Sequence, residues 1–270
     1  MDDDVRRISE QIIMQARRDG QAQPGNKPTG TAQPCRHPVA SGKKILGWCI
    51  VFERLITRKD IRSMLKILGK TTSINVRKVL WTCEEAGLDY VQEDYGSGFA
   101  STQTDAFRAM NPNAMVPVLI DDEFVLWESN SICRYLARKA GRDDLLPSEP
   151  QACANVEHWM DWQATEFNNA WRYVFPALAR KNPAYNDQNA IAAGIKEWNH
   201  CIGILEQQLQ RTGAWAAGET FTLADVVLGL SVNRWKMTPF PHPDVPAIDA
   251  WFARLNQRPA FLRHGNNGMV

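Results

Sequence analysis

Two short polar segments hold side chains that could do chemistry, and each stands directly before an expected helix. Thr71, Thr72 and Ser73 precede one helix, while Glu128 and Ser129 open another. Hydroxyl groups in such positions commonly cap a helix by accepting hydrogen bonds from its free N–H groups. The start of a helix can also bind the oxygens of an anion. Residue type and position alone leave both roles open.

A proline, Pro117, falls inside an apolar stretch from 115 to 120 that the pattern predicts to be a strand. Because proline cannot donate a hydrogen bond to a β-ladder, a central strand avoids it. The pattern by itself therefore favours an edge strand with an ordinary trans-proline.

The six cysteines stand at positions 35, 49, 83, 133, 153 and 201. They form no C-x-x-C pair and no cluster with histidine at zinc-binding spacing, so we expect no metal site. Cys83 and Cys133 lie among apolar residues at helical spacing. This pattern predicts buried free thiols in a reducing compartment rather than a disulfide framework.

The elements that would position the polar segments begin with a small α/β unit at 64–141. The sequence predicts strands at 65–68, 89–95, 115–120 and 124–127, and helices at 74–86, 105–110 and 129–139. That order indicates a mixed sheet covered by helices. Residues 142–151, with two prolines and several charges, are typical of a linker.

From residue 152 to 270 the pattern is helical throughout. We expect a long helix over 152–181, bent at Pro176, and a second over 187–210 whose apolar residues recur every three or four positions. Thr222 and Asp225 have the spacing of a capping box before a helix that reaches about 235. A last amphipathic helix around 248–255 is expected to end by Pro259.

Composition narrows the protein class. The 270 residues are 44% apolar and 23% charged, which is typical of a globular protein and excludes a wholly disordered or collagen-like chain. The longest strongly apolar run, 45–52, is too short to cross a membrane as a helix. A net charge of +1 predicts no strong attraction to nucleic acid.

Residues 1–63 differ from the rest of the chain. They contain 12 Lys and Arg against 7 Asp and Glu, and the part between 21 and 42 is rich in Gly, Pro, Gln and Thr without periodicity. This composition predicts a disordered extension. Alternatively, Met64 is the true start of the protein.

Three segments, taken in order, resemble the glutathione transferase family, and bacterial theta-like and nu-like members above all. They are 73–79 (SINVRKV), 111–119 (NPNAMVPVL) and 126–136 (LWESNSICRYL), followed by a helical region that contains Thr222 and Asp225. The resemblance covers about 65–265. It implies a thioredoxin-like glutathione-binding domain at 64–141, an all-α domain at 152–270, glutathione as co-substrate, a homodimer and a cytoplasmic location.

The resemblance also implies catalytic roles for Ser73 and Asn75. The family's activating hydroxyl maps onto Ser73, and Asn75 maps onto a second donor of the nu-like members. Lowering a thiol pKa from about 8.5 by about two units requires roughly 2.7 kcal/mol, and one hydrogen bond to a charged acceptor supplies about 1.5–3 kcal/mol. One hydroxyl is therefore adequate, although Thr71 and Thr72 stand close enough to compete for the role.

The glutathione-binding residues implied by the resemblance are Val116, Pro117, Glu128 and Ser129. A cis Val116–Pro117 bond would turn the Val116 backbone toward the cysteinyl part of glutathione. Glu128 would pair with the γ-glutamyl amine, and Ser129 would bind its carboxylate. Ala114 departs from the family pattern, because many relatives have glycine there.

The second substrate is expected between the domains, against the 152–181 helix. That helix is rich in large apolar side chains, which we expect to be mostly core: Met160, Trp162, Phe167, Trp171 and Tyr173. Their number favours a small hydrophobic electrophile. Two alternatives stay open at this point: glutathione-dependent disulfide reduction, and a non-catalytic binding or scaffold domain of the same fold.

Overall fold

The computed structural model describes residues 64–269. The expectations for residues 1–63, a disordered extension or a start at Met64, lie outside the described residues. All statements of structure below concern the described part of the chain.

A four-stranded mixed sheet forms the first layer, in the order β2-β1-β3-β4. β2 runs parallel to β1, whereas β3 is antiparallel to both β1 and β4. The strands are β1 (Leu65–Leu68), β2 (Tyr90–Glu93), β3 (Val118–Asp121) and β4 (Phe124–Trp127). The expected strand over 115–120 is wrong at its start, because β3 begins only after Pro117. Pro117 therefore lies outside the strand, where its missing N–H leaves no gap in the hydrogen bonds of the β-ladder.

Three helices belong to this α/β unit: α1 (Ile74–Ala86), α2 (Asp105–Met110) and α3 (Ser129–Lys139). α1 and α3 pack against each other, and α3 also contacts β4. The N-terminal ends of both helices border one cavity together with Val116 and Pro117, which directly precede β3. Gly87 ends α1 with a φ of 68°, and its N–H donates to the carbonyl of Glu84. This is the left-handed ending that glycine adopts without strain.

The remainder of the described chain is helical. Its α-helices are α4 (Pro150–Trp162), α5 (Asn168–Trp171), α6 (Gln188–Thr212), α7 (Leu223–Met237), α8 (Pro246–Leu255) and α9 (Pro259–His264). The expectation of a helix around 248–255 that ends by Pro259 is confirmed, because α8 stops at Leu255. It is not the last helix of the described chain, since Pro259 occupies the first turn of α9, where its missing N–H costs nothing. The linker expected at 142–151 is wrong at its end, because α4 begins at Pro150 with Glu149 as its cap.

The expected single helix over 152–181 is also wrong. π-helical turns at Gln163–Phe167 and Phe175–Ala179 interrupt it. Pro176 lies in the second turn, where its lack of an N–H disfavours regular α-helical bonding. The first turn contains no proline. It coincides with the buried side chain of Gln163, which takes part in a polar network described below.

α7 is the centre of the core, because each of its first 13 residues, from Leu223 to Trp235, is buried. Trp81 of α1 packs near it, with its ring centroid 4.9 Å from that of Phe261 in α9. A Cβ atom on Gly229 would lie 2.9 Å from Leu255 Cδ1 and 3.2 Å from Trp81 Cη2, so a larger residue there would require these side chains to shift. The α/β unit and the helical region thus share one continuous apolar core.

The expected capping box at the start of α7 is confirmed. The buried carboxylate of Asp225 accepts hydrogen bonds of 2.9 Å each from the backbone N–H groups of Ala216 and Thr222 and from Trp251 Nε1. One side chain thereby joins the start of α7 to the loop before it and to α8.

The described cysteines, at 83, 133, 153 and 201, are free, and Cys83 and Cys133 are buried as expected. Burial raises the pKa of the Cys133 thiol to about 11. Among the helices of residues 64–269, none is both long enough and apolar enough to cross a membrane.

Candidate active site

Two adjoining cavities lie where the α/β unit meets the helical region. The smaller has a volume of about 380 Å³, and its lining includes Asn75, Val116, Pro117, Glu128 and Ser129. The larger has a volume of about 660 Å³, and Ser73, Asn75 and Val116 line it too. The structure therefore brings together all six residues that the sequence singled out.

Ser73 occupies the position directly before α1. Its backbone is extended, with φ −81° and ψ 123°, and its hydroxyl makes no capping hydrogen bond to the helix. The ordinary capping role that the sequence left open is therefore not the one this hydroxyl performs. Thr72 also lines the larger cavity, whereas Thr71 is not among its lining residues.

Asn75 and Lys78 lie one turn apart on α1 and both face the smaller cavity. Lys78 is nevertheless buried, and its Nζ donates to Asn130 Oδ1 at 3.1 Å and to Gln163 Oε1 at 2.8 Å. Gln163 Nε2 in turn donates to Ser231 Oγ at 2.9 Å. Burial lowers the pKa of Lys78 to about 8.

This buried network is a part of the site that sequence reasoning missed. The apolar pattern did not reveal it, because Lys78 lies on the side of α1 opposite to Val76 and Val79, where a lysine is ordinarily solvated, whereas the structure buries that side as well. A lysine among core positions is seldom tolerated without polar partners.

The loop before β3 has an unusual backbone. The Val116–Pro117 bond is cis, as the family resemblance implied, and Ala114 has a φ of 52°. Asn111 holds the loop, with its Nδ2 donating to the Met115 carbonyl at 2.8 Å. The departure at Ala114 thus leaves the left-handed conformation in place, with alanine in a position that glycine adopts more easily.

Glu128 also has a left-handed backbone, with a φ of 74°. Such a conformation costs about 1–3 kcal/mol for a residue other than glycine and is found most often at functional sites. Glu128 is exposed and Ser129, the first residue of α3, is buried. Both border the smaller cavity at the N-terminal end of α3, where backbone N–H groups favour negative charge.

The far wall of the larger cavity comes from the helical region. Of the five large apolar side chains considered from sequence, Trp171 lines this cavity, while Met160 and Phe167 are fully buried in the core. Tyr173 instead accepts a hydrogen bond from the backbone N–H of Asp187. Sequence reasoning did not place Phe175, Arg180 and Arg234 in this cavity, although all of them line it.

Among residues 64–269, no group of three or more His, Cys, Asp or Glu side chains is placed to hold a metal ion. Neither cavity has a described cysteine in its lining. The polar side chains available for chemistry are therefore hydroxyls, amides, the Glu128 carboxylate and basic groups.

Comparison with known proteins places these features in a family. Residues 63–138 match the model of the glutathione S-transferase N-terminal domain, and residues 167–259 match that of the C-terminal domain. Glutathione S-transferase GstB of Escherichia coli K12 is 36% identical over 199 residues, which are 73% of this chain and 95% of that protein. Glutathione S-transferase 3 of Zea mays is 34% identical over 211 residues, 74% of this chain and 92% of the relative.

Solved structures agree with this assignment. One is the theta class glutathione S-transferase of Xanthomonas axonopodis pv. citri, solved with glutathione bound. It superposes with a TM-score of 0.71 at 36% sequence identity, and the match covers 76% of this chain and 99% of the chain of that protein. The expected thioredoxin-like domain followed by an all-α domain is confirmed. The chain belongs to the glutathione S-transferase family and is an enzyme that uses glutathione as its co-substrate.

Proposed function

We propose that this enzyme activates the glutathione thiol with the Ser73 hydroxyl, assisted by Asn75, and transfers glutathione to an electrophile with an apolar body. The observation that carries the proposal is the free hydroxyl of Ser73. It lines the larger cavity at the N-terminal end of α1 and is not used as a helix cap.

Chemically, the thiolate is the nucleophile, and a free thiol is mostly protonated at neutral pH. A hydroxyl that donates to the sulfur stabilises the thiolate relative to the thiol, and the start of α1 adds a smaller favourable field. The sulfur then attacks the electrophilic carbon, while the cavity walls hold the two reactants together.

The binding of glutathione follows from the two cavities. The smaller cavity would hold the γ-glutamyl group, with its amine at Glu128 and its carboxylate at Ser129 and the N-terminal end of α3. Val116, which lines both cavities, would bind the cysteinyl backbone. This arrangement directs the thiol toward Ser73 in the larger cavity.

Ser73→Ala tests the proposal, with Thr71→Ala and Thr72→Ala as matched hydroxyl controls. Loss of one hydrogen bond to a charged sulfur should lower kcat/KM about 10- to 150-fold. The thiol pKa of bound glutathione, followed by the ultraviolet absorbance of the thiolate, should rise by about one to two units. Both threonine variants should stay close to the parent protein.

Two results would contradict the proposal. Unchanged activity in Ser73→Ala would favour the non-catalytic alternative or another activating group. Calorimetric binding that prefers oxidised glutathione, and is weakened by Glu128→Ala, would favour disulfide reduction. The homodimer and the cytoplasmic location that the family resemblance implied belong to this proposal as well, together with a role in detoxification.

A further inference from the structure

The larger cavity contains a buried arginine that has no partner of opposite charge. Arg234, near the end of α7, is 2% exposed and lines the cavity. Its guanidinium carbon lies 4.4 Å from the ring centroid of Trp171 and 4.1 Å from that of Phe175. The guanidinium group thus packs against two aromatic rings rather than against carboxylates.

The side chain of Arg234 makes no hydrogen bond and no salt bridge to any residue of the described chain, and its Nε is buried without a partner. Arg77 is buried to the same extent but donates to three acceptors: the carbonyls of Gly265 and Met269 and Asn267 Oδ1. The Nε of Arg77 is also buried without a partner, so the difference lies in the terminal nitrogens, which are hydrogen-bonded in Arg77 and not in Arg234.

The charges near Arg234 are of the wrong sign to compensate it. Burial, together with repulsion from Arg77 and Arg180, lowers the pKa of Arg234 to about 9. A buried charge without a partner is costly, and aromatic faces offset only a part of that cost. An anion placed in the cavity would supply the missing partner, since guanidinium groups bind carboxylates with two parallel hydrogen bonds.

The position of Arg234 assigns this anion to the second substrate. Ser73, the proposed thiol-activating residue, lines the same cavity from the α/β side. The rings of Trp171 and Phe175 line this cavity as well, and the Arg180 guanidinium carbon lies 4.9 Å from the centroid of the Phe175 ring. A molecule that fills the cavity would therefore meet the sulfur near Ser73, two aromatic rings and two cationic groups.

We propose that the second substrate is an electrophile with an apolar body and a carboxylate, and that Arg234 binds the carboxylate while Arg180 assists at the cavity mouth. This inference rests on the proposed function. With a carboxylated aryl chloride, the glutathione sulfur forms a bond to the ring carbon and chloride leaves with the electron pair of the broken bond. The thiol proton passes to solvent, and the carboxylate is unchanged.

A matched pair of probes separates charge from shape. We would measure kcat/KM for 4-chloro-3-nitrobenzoate and for 4-chloro-3-nitrobenzamide at saturating glutathione, each divided by its uncatalysed rate. The parent protein should prefer the benzoate. Arg234→Met should lower the value for the benzoate about tenfold or more and change that for the benzamide less than about twofold. Arg234→Lys should restore the preference in part, because it keeps the charge but loses the paired geometry.

Arg211→Met is the control for general charge, because Arg211 is exposed on α6 and lines neither cavity. It should keep the preference for the benzoate. An equal loss with both probes in Arg234→Met, or a rise in KM for glutathione itself, would overturn the inference, since the arginine would then serve the fold or the glutathione carboxylate.

A binding measurement decides the matter even without turnover. 3-Nitrobenzoate, which lacks the leaving group, should bind the glutathione-loaded parent protein more tightly than 3-nitrobenzamide, and Arg234→Met should abolish the difference. Equal binding of the two would overturn the inference. Benzamide turnover that depends on Ser73 but shows no effect of Arg234 would leave the proposed function intact and remove only this inference.

Discussion

At the scale of single residues, the site combines a free hydroxyl, a strained backbone and a buried lysine. Ser73 and Glu128 were found from sequence because each stands directly before a helix. Lys78 was not, although it lines the same cavity as Glu128, the cavity proposed to hold the γ-glutamyl group. A positive charge there is favourable for an anionic ligand, which would also raise the lowered pKa of the lysine.

The pH dependence of stability tests the burial of Lys78. Its pKa is about 8 in the folded protein, below the ordinary value near 10.5 in the unfolded chain. Between these two values the unfolded chain binds more protons, so the free energy of unfolding should rise with pH. Relative to Lys78→Met, the parent protein should gain about 2 kcal/mol between pH 7 and pH 9.5.

Urea unfolding of both proteins at several pH values gives this difference directly, because all other titrating groups are common to the two. Lys66→Met, at a half-exposed lysine paired with Glu93, is the matched control and should follow the parent profile. Parallel profiles for the parent protein and Lys78→Met would show that the lysine is not held in a low-dielectric environment.

At the scale of elements, the sequence predicted helices well where the apolar pattern alone decides them. α1 and α3 begin and end where expected, because their apolar residues recur at helical spacing and their ends carry recognisable signals. The first π-helical turn was not predictable in this way. Gln163 is bonded to Lys78 and Ser231, which are 85 and 68 positions away in the chain, and no local pattern reports such contacts.

The difference between local pattern and distant contacts also explains which site residues the sequence identified and which it did not. The cis bond at Pro117 and the roles of Glu128 and Ser129 came from family motifs that stand in one short segment each. Arg234 belongs to no such motif. Only the folded structure shows that its guanidinium group packs against Trp171 and Phe175, which are distant in the sequence. Tertiary packing, rather than local sequence, created this part of the cavity.

The start of α7 depends on one buried carboxylate, and this dependence is testable. In Asp225→Asn, an amide NH₂ group would replace one of the two carboxylate oxygens. It would face an N–H group that now donates to that oxygen, so at least one hydrogen bond would be lost. The free energy of unfolding should fall by about 2–4 kcal/mol, as measured by urea denaturation. Asp249→Asn, which removes an exposed pairing with Lys236, should cost at most about 1 kcal/mol. Equal losses in the two variants would argue against a special role for Asp225.

At the scale of the whole described molecule, the two domains share contacts that span most of the chain. Phe261 of α9 packs on Trp81 of α1, and Arg258 pairs with Glu85 through two hydrogen bonds of 2.9 Å and 2.5 Å. Because these contacts join the end of the helical region to the α/β unit, residues 64–269 should unfold as one cooperative system.

Phe261→Ala tests this cooperativity. Removal of a fully buried ring should lower the free energy of unfolding by about 3–5 kcal/mol. Far-UV circular dichroism and tryptophan fluorescence should shift together in urea, as a single transition. Leu262→Ala, at a neighbouring side chain that is 48% exposed, should change little. Separate transitions for the two signals would show that the domains unfold independently.

The contact between α1 and α9 also has a consequence for the way the protein is made. A ribosome delivers residues 259–264 long after it has delivered α1, yet these residues cover the apolar side of α1 beside Trp81. The α/β unit is therefore synthesised before α9, the helix that covers this side of α1. Until α9 has been made, that apolar surface is open to chaperones, and a chain that is cut short before residue 259 leaves it uncovered.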